Sequence, residues 1–147
     1  MDRLPPLRSL KDVKTYLGSL VPTEPHTGWS LAAVLVHCAQ SIEYSVRGYP
    51  QLRSGLFRAT IGPLVKRRFL AKGAMSHDLT APIAGAPALE PAPPLPEAVA
   101  RLRQAIETFE AHPGPFAPHL AYGPCTREEY DVLHALHVAD HLRAFER

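Results

Sequence analysis

Proline placement constrains this chain more than any other feature. Sixteen prolines lie among 147 residues, about twice the usual ~5% share. Six fall between Pro82 and Pro96 and four between Pro113 and Pro124. Proline fixes φ and has no N–H to donate, so these two stretches cannot form a helix interior or a central strand. The fold must be built from the periodic segments that the prolines separate.

Each of those segments has helical spacing. Ser9 is placed to cap a first helix, Leu10 to about Leu20, with Leu10, Val13, Leu17 and Leu20 on one face. Pro22, Pro25 and Gly28 form a connector. Ser30 caps a second helix that runs to about Tyr49 and stops before Pro50. Arg53 to Lys72 is apolar and basic with Pro63 near its middle, which predicts a kinked or broken helix. Gly73 to Pro94 is a long connection rich in Gly, Ala and Pro, the kind that often carries function as a lid or crossover. Pro96 suits the first turn of another helix, about Glu97 to Ala111, with Val99, Leu102, Ile106 and Phe109 inward. Thr126 and Glu129 form a capping box for a last helix ending near Phe145. No alternating strand pattern and no internal repeat occur. The expectation is a single all-α domain over residues 1–147, a four-helix bundle with one long crossover.

The last helix carries the chemistry. His134, His137 and His141 are separated by three, four and seven residues. At about 100° per residue they fall within roughly 60° of one another on one stripe. Imidazoles four apart on a helix can share one metal ion. On the second helix His37 has Ala33, Val34, Ser41 and Tyr44 as same-face neighbours. Such small neighbours leave room for an ion or a ligand. Metal sites in bundles draw ligands from facing helices, so His37 and the His137/His141 pair could supply ligands from two helices. Three protein ligands leave coordination open for water or substrate. His134 stands as a fourth ligand, a residue orienting a ligand, a general acid–base or a neutral histidine at the core edge.

These residues also carry a family resemblance. Trp29-Ser30 followed by His37-Cys38-Ala39-Gln40-Ser41-Ile42-Glu43-Tyr44, then Gly73-Ala74-Met75-Ser76-His77-Asp78-Leu79, then His134-x-x-His137-x-x-x-His141-Leu142, run across nearly the whole chain. Together they resemble the DinB/YfiT-like superfamily of metal-dependent proteins, in a branch labelled a domain of unknown function. The resemblance implies an up-down-down-up bundle, often dimeric, with one divalent ion, typically zinc or nickel, on His37, His137 and His141. Imidazole also accepts iron or manganese. Some members of the superfamily are transferases or isomerases that use low-molecular-weight thiols. Similar sequences often carry another histidine just before the final ligand, where this chain has Asp140. A carboxylate can orient an imidazole but cannot replace its donor nitrogen.

The remaining features narrow the function classes. Net charge is +2, too mild to argue for nucleic acid. The basic stretch Arg47, Arg53, Arg58, Lys66, Arg67, Arg68 and Lys72 reads as a solvated helix face, without the interleaved aromatics of a single-strand binder. Cys38 and Cys125 form no C-x-x-C pair and read as inert thiols. No signal peptide or membrane span is recognisable, and a cytoplasmic setting is expected. Phosphate loops, the G-x-S-x-G elbow, zincin and deaminase motifs are all missing. The expectation is a metal-dependent enzyme in which the ion activates water or a thiol, making it a hydrolase or a thiol-dependent transferase or isomerase. Its partners would be a small-molecule substrate, a thiol cosubstrate and a second copy of the chain. The rival is a non-catalytic bundle that binds metal or ligand.

Overall fold

The computed structural model describes residues 1–26 and 28–146. It contains six helices in the order α1 (Leu10–Leu17), α2 (Leu31–Arg47), α3 (Gly55–Ala59), α4 (Ile61–Lys72), α5 (Leu95–Ala111) and α6 (Arg127–Arg143). There is no strand among the described residues, only an isolated bridge between His119 and Gly123. Among the described residues, no helix is long and apolar enough to cross a membrane.

The helix starts follow the caps. The side chains of Ser9, Ser30 and Thr126 accept from the backbone N–H of Asp12, Ala33 and Glu129, and Glu129 reaches back to the Thr126 N–H. The ends come earlier than the apolar pattern predicts. α1 stops at Leu17 with Gly18 as its cap, short of Leu20. α2 stops at Arg47 because Gly48 takes φ +107°, which a helix cannot continue through. α6 stops at Arg143.

The segment from Arg53 to Lys72 is broken, but not by its proline. The break falls at Thr60, and Pro63 sits in the first turn of α4. Proline is tolerated there because the N–H it lacks would have had no intrahelical partner. The basic face is largely solvated, with Arg53, Arg67, Arg68 and Lys72 exposed. Lys66 departs from it. Its Nζ turns inward, 3.0 Å from Glu129 Oε2 and 3.0 Å from the Pro124 carbonyl.

α2 is the central element, buried without interruption from Ala33 to Ile42. Such an all-round burial needs neighbours on every side. α2 packs on α5 and α6, and α1 closes against both of the latter. Leu10 and Val13 of α1, Leu35 and Ile42 of α2, Leu102 and Ile106 of α5, and Tyr130 and Leu142 of α6 meet in one core. A smaller cluster of Met75, Leu133 and Leu136, flanked by Phe69, Leu70 and Tyr122, fixes α4 and the start of the long connection on α6. That second cluster anchors the chain two residues before His77.

Candidate metal centre

His37 comes from α2, His137 and His141 from α6, and His77 from the connection between α4 and α5. Each offers one ring nitrogen, and all four lie within 4.8 Å of one another. His37 Nε2 is 3.2 Å from His137 Nε2, and His77 Nε2 is 3.0 Å from His141 Nε2. Donors at the ~2.0–2.1 Å zinc–nitrogen distance around a tetrahedral ion would stand about 3.3 Å apart. Trp29 covers the group, with its ring stacked 6.0 Å from that of His141 and tilted 5.1 Å from that of His37.

The electrostatics favour neutral rings with free lone pairs. Burial, and then the charge of His77, push His37 down to about 4. Burial, followed by His37 and His77, pushes His141 down to about 3. His137 is driven well below the usual range by burial and then by His37, His141, His77 and His134. Removing water disfavours the cation, and four adjacent imidazoles cannot all be charged. Neutral imidazole is the form that ligates a metal.

Asp140 braces the loop histidine. Its Oδ2 accepts the His77 backbone N–H at 3.2 Å and lies 2.7 Å from His77 Nδ1. The approach to Nδ1 is close but not along the ring's N–H direction. His77 Nδ1 and His37 Nδ1 are thus both buried without a directed hydrogen bond, an expensive condition for a nitrogen. Four imidazoles, and a carboxylate at the outer edge of one ring, make up the donor set of a divalent-metal site. The residues fit such an ion.

His37, His77 and His137 also line a cavity of about 390 Å³. Its wall is mainly apolar, with Met75, Ile83, Leu120 and Leu133 among the lining residues. A cavity of this size accepts a metabolite-sized molecule.

The structure brings His37, His137 and His141 together and leaves His134 outside the group. His134 is buried, stacked on Tyr130 with ring centroids 5.0 Å apart, and its Nε2 is 3.0 Å from Ser45 Oγ. Ser45 Oγ donates its proton to the Ile42 carbonyl at 2.6 Å, so His134 Nε2 is the donor to Ser45. Burial, with His119 second, pushes His134 down to about 3. It is a neutral histidine on the cavity wall. The fourth candidate ligand is His77, which helical spacing could not recruit because it lies in a connection. The available signal was that His77 is the only histidine between Gly73 and Pro94. The cysteines stay apart from the group: burial raises the Cys38 thiol and pushes Cys125 up to about 11.

Fold and site together describe an all-helical protein with a four-histidine cluster able to hold a metal ion. A family model described as "Protein of unknown function (DUF1569)" matches residues 7–147, and the chain belongs to that family. No curated protein and no solved structure matches it.

Proposed function

We propose that this protein is a metal-dependent enzyme acting on a small molecule held in the 390 Å³ cavity. The observation that carries the reading is the opening of His37, His77 and His137 onto that cavity. His37, His137 and His141 would hold the ion from two packed helices, with His77 as the loop-borne donor and Asp140 orienting it. When bound, a divalent ion supplies Lewis acidity, polarising a substrate oxygen or making water or a thiol a better nucleophile. The apolar wall excludes bulk water and orients the substrate body. His134 stays neutral, stacked on Tyr130 along that wall and bonded to the buried Ser45 behind it. The reaction class is the one suggested by the DinB/YfiT resemblance, hydrolysis or thiol-dependent transfer. The mutual packing of α1, α2, α5 and α6 supports a four-helix frame of that kind.

The fourth histidine favours a second reading. Four imidazoles complete a tetrahedral zinc site and leave no open position, which is the pattern of a structural site. Nickel, iron or manganese, which accept more ligands, would keep a position open toward the cavity.

Calorimetric titration of chelator-stripped protein tests the metal reading. The expected result is saturation at about one zinc or nickel ion per chain, with affinity at least about tenfold weaker in His37→Ala and in His137→Ala and unchanged in His134→Ala. Affinity unchanged in His37→Ala and His137→Ala would sink it.

A further inference from the structure

A fifth histidine faces the same cavity and takes no part in the cluster. His119 Nδ1 accepts two backbone N–H groups, from Ala121 at 3.0 Å and Tyr122 at 3.1 Å. A nitrogen that accepts has no proton, so the ring proton must sit on Nε2. Nε2 has no partner among the described residues, while the ring lines the cavity. The ring is held on both sides, stacked on Tyr122 with centroids 4.1 Å apart and met edge-on by Tyr49 at 5.2 Å. The backbone around it is equally fixed. His119 N donates to Gly123 O at 2.9 Å, and Gly123 turns back at φ +77° with its α-carbon too close to the Arg58 carbonyl for any side chain.

Arg53 is tied to the same patch of wall. Its backbone N–H donates to the Leu120 carbonyl at 2.8 Å, and its guanidinium lies over the Phe57 ring at 4.1 Å. Arg53 is exposed and lines the cavity. Among the described residues, Asp78 is the one carboxylate on that wall. It is also exposed, and its Oδ1 is occupied by the Thr80 backbone N–H and hydroxyl at 2.9 and 2.7 Å.

We propose that the cavity binds a small carboxylate with an apolar body, His119 Nε2–H donating to its oxygen and Arg53 neutralising its charge. The proposal rests on the reading of the cavity as the substrate site of the histidine cluster. One neutral donor and one cation match a monoanion. A phosphate dianion would call for more positive charge than the single arginine lining this wall supplies. Met75, Ile83 and Leu133 receive the apolar body. His119 is a binding residue, locked in one tautomer, and not a proton carrier.

Benzoate and its neutral counterpart benzamide are the probes. They are titrated into chelator-stripped protein, followed by calorimetry and by the ring ¹⁵N resonances of His119, so that no ion can supply the affinity. Benzoate is expected to saturate and to bind at least about tenfold more tightly than benzamide. His119→Phe and Arg53→Leu should each weaken benzoate about tenfold, and His119→Gln, which keeps an amide donor, should retain most of the affinity. The ring nitrogens should show the Nε2–H tautomer, with Nε2 shifting on benzoate addition. Arg53 is exposed, so its variant keeps the test sharp if His119→Phe fails to fold. The proposal is overturned by no saturation below ~10 mM benzoate, by equal affinity for benzamide, or by unchanged affinity in Arg53→Leu. Zinc titration of the same samples separates the two readings. Zinc binding without benzoate selectivity removes this inference alone, and benzoate selectivity without zinc binding removes the metal reading alone.

Discussion

At the scale of single residues, the candidate centre has one carboxylate at its edge. Asp140 lies one position before His141 on α6, accepts the backbone N–H of His77 and stands 2.7 Å from its Nδ1. Replacing it by Asn removes the charge while keeping the shape. Outer partners of this kind typically contribute 10–100-fold in metal affinity, so Asp140→Asn should lower zinc or nickel affinity by about that range in a competitive chelator titration. Unchanged affinity would mean that Asp140 serves only the loop backbone. Helical periodicity made His37, His137 and His141 legible because each lies on a regular element. It could not exclude His134. The stripe angle is right, but seven residues separate His134 from His141, about 10.5 Å along the axis. In the structure the His134 ring is turned to Ser45 and lies outside the cluster. His77 was invisible to the same logic because a connection has no period.

At the scale of elements, the caps announced the starts of α1, α2 and α6, while three helix ends fell short of the apolar pattern. The expected weak point of the Arg53–Lys72 segment was Pro63, yet Pro63 lies in the opening turn of α4 and the chain breaks at Thr60. The reason for α4's position is Gly62. A β-carbon there would stand 1.8 Å from the Ala121 carbonyl oxygen and 3.2 Å from the Tyr122 α-carbon. The glycine lets α4 approach the turn that carries His119, a requirement that no local pattern encodes. Gly62→Ala should therefore destabilise the fold by about 1–3 kcal/mol or more through overpacking, despite the better helix propensity of alanine. Urea denaturation reads this as a lower midpoint at unchanged slope. A rise in midpoint would show that α4 can move away at no cost.

At the scale of the whole molecule, the candidate centre ties together parts of the chain that are far apart in sequence. His37 sits on the central buried helix, His137 and His141 on the last helix, and His77 on the connection, which Met75 pins to α6. An ion held by all four would cross-link these three segments and stabilise the native state by mass action. The all-helical class was legible because every periodic stretch between the proline clusters had the helical period. The way the helices meet was less so, since it depends on which faces pair. The most direct measurement of the central claim is metal K-edge X-ray absorption on the protein loaded with zinc or nickel. The account predicts a first shell of about four imidazole nitrogens near 2.0–2.1 Å and no sulfur. It also predicts that one imidazole is lost in His77→Ala and none in His134→Ala. A shell containing sulfur, or one unaltered by His77→Ala, would contradict it.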